Sequence, residues 1–166
     1  MTLDLDLQNP GGLSEVPAES AFRRWVEAAL AGRAGDFSLS VRVVDKDESR
    51  QLNARYRQQD KPTNVLSFAV ELPGEVLEQL PVCPLGDLVI CAPLVRSEAQ
   101  AQGKTALSHW AHLTVHGVLH LLGHDHQEQE QAQAMEALEV RILAGLGVPD
   151  PYTDVGNRTD SAEIAS

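Results

Sequence analysis

All six histidines of the chain fall within eighteen residues: His109, His112, His116, His120, His124 and His126. His116 and His120 are four apart, so on a helix their side chains point the same way, roughly 6 Å apart along the axis. That spacing lets two imidazoles share one metal ion. Gly123 can end such a helix and turn the chain back, which would allow His126 to supply a third nitrogen. Three neutral ligands leave a fourth position on Zn²⁺ for water, the arrangement of a catalytic site and not of a closed structural one. A lone histidine is usually packed or solvated, but two at helical spacing, a glycine turn and a third beyond it favour a site. Imidazole nitrogens suit Zn²⁺, although Ni²⁺ or Cu²⁺ would also bind.

The remaining histidines are less committed. His124 lies beside the turn without a helical partner, so it is expected behind the ligands, facing substrate or in solvent. His109 and His112 extend the stripe at spacings of three and four. Burial or a surface place is favoured for both, with lining of the cleft as the alternative. Asp125 either orients a ligand imidazole through its second nitrogen or caps the turn. Metalloproteases of the H-E-x-x-H kind use the Glu after the first ligand as general base, and here that position is Gly117. A protease reading therefore ranks second.

The segment from His116 to His126 resembles the H-G-x-L-H-L-x-G-x-D-H signature of the YbeY family of bacterial endoribonucleases. A second block, from Leu52 through Tyr56-Arg57 and Thr63-Asn64-Val65-Leu66-Ser67 to Phe68, is similar to that family too. So are the Leu85–Ile90 strand and the His109-Trp110-Ala111-His112 lead-in. The resemblance runs from about Leu39 to Tyr152. It implies a zinc-dependent endoribonuclease specific for single strands, acting in ribosomal RNA maturation at the 3′ end of 16S rRNA and in ribosome quality control. It implies His116, His120 and His126 as ligands of one Zn²⁺ per chain, and Arg57 as the catalytic arginine. Implied partners are single-stranded RNA, ribosomal RNA among it, and the ribosome. Two departures stand out: His124 sits where many members have Tyr, and Gln58-Gln59 replaces a more basic Gly-Lys pair, which thins the local positive charge.

Chemistry supports this assignment without fixing it. A planar guanidinium donates two parallel hydrogen bonds to a phosphate, so Arg57 is expected on the scissile or adjacent phosphate. The competing expectation is an ion pair with Asp60 or Glu71. Tyr56, Asn64, Ser67 and Phe68 are candidates to line an RNA groove, and Phe68 could equally be core. The residues do not identify a general base. Two other functions stay open: a metal-dependent hydrolase of another substrate class, and a non-enzymatic ribosome-assembly factor with structural zinc. The latter needs a fourth protein ligand, for which His124, Asp125, Cys83 and Cys91 are the candidates.

The elements that must hold these residues can be read from periodicity. Thr2–Gln8 alternates apolar and acidic residues, as a strand with one wet face does. Phe22, Trp25, Val26, Ala29 and Leu30 repeat at helical spacing, and Gly32 offers a stop. Phe37–Val44 is a second strand, and Asp47 is placed to cap a short helix reaching about Tyr56, with Arg50 and Arg57 on one face. Strands are expected over Asn64–Glu71 and Leu85–Ala92, joined by a Pro/Gly-rich mobile loop. Helices follow from Pro93 to Gln102, Thr105 to Leu122 and Glu128 to Leu146. The expected fold is α+β: a small mixed sheet packed with helices, and a zinc site at the end of a long central helix. Residues 1–152 are expected to form one metallo-endoribonuclease domain. The chain from Pro149 on lacks periodicity, and 153–166 is expected to be a disordered tail.

Composition sets the outer bounds. With 166 residues and 43% hydrophobic content the chain can bury a full core, which excludes a disulfide-stapled miniprotein and a disordered chain. Two cysteines suit a reducing cytoplasm, the expected location, and no apolar run approaches a membrane span. The net charge of −11 argues against broad adhesion to nucleic acid. Charge is uneven, however. Arg50, Arg55, Arg57 and Lys61 face only Asp60 between Ser49 and Asn64, whereas 127–166 is strongly acidic. The acidic bulk therefore leads to the expectation that specificity comes from a docked partner, such as a ribosomal protein or an assembly GTPase, and not from this chain's own RNA affinity.

Overall fold

The computed structural model describes residues 1–124 and 129–152. Four strands and six helices follow one another along these residues, alternating up to β4 and ending in three helices: β1 (Thr2–Gln8), α1 (Glu19–Ala29), β2 (Asp36–Val44), α2 (Lys46–Arg57), β3 (Val65–Ala69), α3 (Gly74–Gln79), β4 (Cys83–Cys91), α4 (Ala92–Gln102), α5 (Ala106–Leu121) and α6 (Gln129–Gly145). The sheet order is β1-β2-β4-β3. β1 and β4 run parallel to β2, and β3 pairs antiparallel with β4 at the edge, so the sheet is mixed and the class is α+β.

Alternation decides which face carries the core. Leu3 and Leu5 of β1, Phe37, Leu39, Val41 and Val43 of β2, and Leu88 and Ile90 of β4 point toward α1 and α5 and form the main cluster. Phe22 of α1 meets Trp110 of α5 edge-on, with ring centroids 5.7 Å apart. The opposite face is covered only in part, where Val44, Leu66, Val89 and Cys91 pack beneath Leu52 of α2 and Leu94 of α4. Helix α5 is buried from His109 through Leu119 without a break, because sheet and helices surround it. A helix in that position must place polar side chains where other buried groups can answer them.

Three local expectations change. The cap of α2 is Asp45, whose side chain accepts from the Glu48 N–H, and not Asp47, which lies one residue inside the helix. The connection between β3 and β4 is not all loop, since Gly74–Gln79 forms the short helix α3, although it buries none of its residues. The chain after Pro149 stays structured to the end of the described region, with Pro151 buried and Tyr152 partly so. The expected tail, residues 153–166, lies outside the described residues.

Candidate metal centre

Thr105 starts α5 by accepting a hydrogen bond from the Ser108 N–H, and the helix then carries its four histidines along one stripe. Neighbouring rings are 6.0, 6.2 and 4.6 Å apart at their centroids from His109 to His120. After Leu121 the backbone turns at Gly123, whose φ of 100° is costly for any residue with a Cβ. His124 is half-buried just past that turn, its N–H bonded to the Leu119 carbonyl. Asp125 and His126 lie outside the described residues.

His116 and His120 come together as their spacing requires, with their Nε2 atoms 3.1 Å apart. The other nitrogen of His116, Nδ1, donates to Oε1 of Glu139, a fully buried carboxylate on α6. Because Nδ1–H is committed there, a neutral His116 presents a lone pair at Nε2, on the His120 side. Two nitrogens bound to one tetrahedral Zn²⁺ at about 2.05 Å would stand about 3.3 Å apart, close to the separation found. The donor set therefore fits a cation held between the two Nε2 atoms.

Glu139 gathers further donors. Nε2 of His112 lies 3.3 Å from Oε2, and the Tyr152 hydroxyl donates to the same oxygen. Burial alone would push this carboxyl up, but the hydrogen bonds and charges of His112 and His116 outweigh it and hold the acid well below its ordinary range. Burial pushes His112 down to about 4, against the opposing pull of Glu139, so its imidazole is neutral near pH 7. Burial, followed by the neighbouring Glu139 charge, pushes the Tyr152 phenol up, and it stays protonated. His112, His116 and Glu139 also lie close enough together to hold a metal ion themselves. In that cluster, however, the carboxylate oxygens already take hydrogen bonds from three side chains, whereas the Nε2 pair is turned away from them.

His109 is spent elsewhere. It is buried and pairs with Glu98 of α4 at 2.8 Å, and Glu98 also accepts from Asn64. The burial expected for His109 and His112 is found. Asn64 is itself buried, and its side-chain amide donates to Glu98 in this cluster.

Arg57 ends α2 on the surface. Its Nη2 donates to the Ser67 carbonyl at 2.8 Å and Nη1 to the Tyr56 carbonyl at 3.2 Å, while the guanidinium lies over the Phe68 ring, 5.0 Å from its centroid. No ion pair joins Arg57 to Asp60 or Glu71 among the described residues, because Asp60 is taken by Arg50 at 2.7 Å. Ser67, whose carbonyl holds Arg57, points its hydroxyl at the Gly117 carbonyl of α5, 3.3 Å away. One residue of β3 thus touches both the arginine and the turn that carries His116. Phe68 is half-buried and packs edge-on with Tyr56, centroids 5.2 Å apart. Both line a groove of about 440 Å³ with Leu52, Arg42, Asp87 and Val89. That groove opens on the sheet face turned away from α5, so it does not contain the histidines.

Position 117 also explains the missing base. A Cβ built there would come within 2.7 Å of Leu88 Cδ2 and 3.3 Å of Ser67 Oγ. A glutamate after His116 would be driven into the packed sheet and not toward the metal.

Glu139 and Tyr152 are the residues that sequence reasoning missed. Each is one of several acids or one lone tyrosine, with no spacing that links it to a histidine more than twenty residues away.

Comparison with known proteins follows the same outline. The family model described as Endoribonuclease YbeY matches residues 8–147. A protein named Endoribonuclease YbeY from Alkalilimnicola ehrlichii is 60% identical over 153 residues, 90% of this chain and 91% of the relative. One of the same name from Pseudomonas entomophila is 52% identical over 159 residues, 96% and 98% of the two chains. The solution structure of TM1509 from Thermotoga maritima superimposes with a TM-score of 0.55 at 23% identity, over 94% of this chain and 99% of that one, a likeness of fold.

Proposed function

The chain belongs to the YbeY endoribonuclease family, and on that premise we propose that it is a zinc-dependent endoribonuclease that cuts single-stranded RNA. The observation that carries this reading is the convergence of the His116 and His120 Nε2 atoms at 3.1 Å on consecutive turns of a buried helix. We assign one Zn²⁺ per chain to His116, His120 and His126, with Arg57 as the phosphate-binding catalytic arginine. A bound Zn²⁺ supplies Lewis acidity, which polarises a phosphoryl oxygen and makes water a better nucleophile near neutral pH.

The chain's own residues do the rest. Phosphodiester cleavage builds negative charge on the phosphoryl oxygens, and fixed donors lower its cost most when they need not reorganise. Arg57 meets that condition. Two of its N–H groups are anchored on backbone carbonyls, which aims the exposed remainder of the fork outward toward a phosphate. Ser67 sets the spacing between that fork and α5. Tyr56, 46% exposed, offers a face on which a neighbouring base can stack. In this reading His112 supports the pair from behind through its contact with Glu139, and His124, half-buried just past the turn, faces the substrate. Glu139 keeps the His116 proton on Nδ1.

The cellular role we propose is maturation of ribosomal RNA, including the 3′ end of 16S rRNA, and ribosome quality control in the cytoplasm. Ribosomal proteins and an assembly GTPase are the partners this role calls for. Residues 1–152 act as one domain in this reading.

The deciding experiment is cleavage of an end-labelled single-stranded RNA by wild type, by Arg57→Ala, and by chelator-stripped protein before and after refilling with zinc. Loss with the arginine and with the metal, then recovery on zinc, is the expected result. Equal cutting by all samples overturns the assignment. Failure of all samples at full zinc occupancy moves the function to another substrate class or to assembly without catalysis.

A further inference from the structure

The strongest buried polar cluster behind the histidine pair is centred on Glu139. This side chain is 0% exposed, and three donors from two separate stretches of chain converge on it: His116 Nδ1 and His112 Nε2 from α5, and the Tyr152 hydroxyl. The tyrosine is the unexpected member. It comes from the turn after α6, is separated from His112 by forty residues, and sets its ring edge-on to that imidazole with centroids 5.4 Å apart. The turn itself is fixed, because the Tyr152 N–H bonds Oδ1 of Asp150 at 2.8 Å and Pro151 is buried.

We propose that Tyr152 is a positioning residue for the metal centre: its hydroxyl holds the Glu139 carboxylate so that His116 keeps its proton on Nδ1 and its Nε2 lone pair toward His120. The inference rests on the metal assignment above and extends it to the C-terminal turn. Its physical basis is that an imidazole has two nitrogens and one proton. A carboxylate on Nδ1 fixes the tautomer, fixes the ring's rotation and raises the basicity of Nε2, and loss of such a partner typically weakens metal binding about 10- to 100-fold. A buried carboxylate is itself only as fixed as its donors. Remove the tyrosine hydroxyl and, among the described residues, Oε2 of Glu139 keeps only the 3.3 Å contact from His112, so the carboxylate is held firmly at one oxygen instead of two.

A competing arrangement, in which Glu139 is itself a ligand with His112 and His116, makes different predictions. The test is Zn²⁺ titration of the metal-free full-length chain against a competing chelator, with Co²⁺ absorption as a report on the ligand set. Tyr152→Phe keeps the ring on His112 and removes only the hydroxyl. It should bind Zn²⁺ roughly 3- to 10-fold more weakly, and Glu139→Gln roughly 10- to 100-fold more weakly, with Co²⁺ bands at wild-type positions in both. In zinc-loaded wild type, long-range ¹⁵N NMR should show His116 as the Nδ1–H tautomer with slow proton exchange, and exchange should quicken in Tyr152→Phe. A general loosening of the fold would leave that tautomer signature in place while lowering the melting point.

Tyr152→Phe with wild-type zinc affinity overturns the proposal. So does Glu139→Gln that shifts the Co²⁺ bands or binds no better than His116→Ala, since Glu139 would then be a ligand. Should Glu139→Gln fail to fold, Tyr152→Phe decides alone. Wild type that takes up neither ion removes the metal assignment and this inference together, whereas uptake by wild type with an unaffected Tyr152→Phe removes the inference only.

Discussion

An exposed arginine normally has its guanidinium in water, so the two backbone carbonyls that hold Arg57 are informative. They restrict the fork without neutralising it, and the Phe68 face beneath it adds a cation–π contact without charge. Arg57→Ala should therefore lower kcat/KM for a single-stranded RNA by about 10²- to 10³-fold, the usual cost of removing one fixed donor to a charged transition state. Arg57→Lys should recover little, because a point ammonium cannot span two carbonyls and still present a fork to phosphate. Initial rates at subsaturating RNA, which report kcat/KM directly, check both. A second residue-scale expectation concerns Cys91. It is 0% exposed, and burial pushes its thiol up, so it is protonated and shielded at neutral pH. Under native conditions iodoacetamide should modify Cys83 first and reach Cys91 only when the chain unfolds, as mass spectrometry of the labelled peptides would show. At this scale the sequence displayed what lies close along the chain. His116 and His120 announce themselves by a spacing of four, and the Tyr56-Arg57 pair by its block. Glu139 and Tyr152 do not, because their link to His116 is made by the packing of α6 and the following turn on α5.

Helices and strands were legible wherever one face is buried, since burial imposes the period that can be read. β1, β2, α1, α4 and α5 all have such a face, and their positions agree with it to within a few residues. α3 has none, which is why a Pro/Gly-rich stretch concealed a short helix. The cap of α2 depended on a one-residue difference between Asp45 and Asp47, which periodicity does not resolve. The same element carries a testable imperfection. Gln58 closes α2 with φ 56°, in the left-handed region where a Cβ costs about 1 kcal/mol or more and where glycine is the usual occupant. Gln58→Gly should raise stability by roughly 0.5–1 kcal/mol in urea unfolding, the gain being reduced by glycine's extra freedom in the unfolded chain. Helix α5 shows the reverse constraint. Its approach to β4 requires the bare backbone of Gly117, and Gly117→Ala should cost about 1–3 kcal/mol, because Leu88 is fully buried and has little room to move aside. Wild-type stability in Gly117→Ala would mean that the helix can slide along the sheet, and the spacing that Ser67 sets would not be fixed.

For the molecule as a whole, a net charge of −11 must be reconciled with a polyanionic substrate. The sheet face away from α5 makes the conflict plain, since Asp4, Asp6 and Asp87 are all exposed on it and would repel a phosphate backbone. The approach left open is the end of α2 and the turn after it, where Arg55, Arg57 and Lys61 are exposed. Arg50 does not add to this patch, because Asp60 neutralises it at 2.7 Å. About three cations are thus available, and for single strands each neutralised phosphate contributes about 0.7 to the slope of log affinity against log salt. Binding of a short labelled RNA should therefore follow a slope of about −2, a loss of roughly sixteenfold between 50 and 200 mM salt. Fluorescence anisotropy over that range, in metal-loaded protein, measures it directly. Arg57→Ala should flatten the slope by about 0.7, whereas Arg50→Ala should leave it nearly unchanged. A slope of −5 or steeper would mean that RNA reaches a much wider basic surface than the end of α2. A shallow slope instead fits a chain that holds RNA weakly by itself and relies on a docked partner to bring the strand to Arg57 and the histidines.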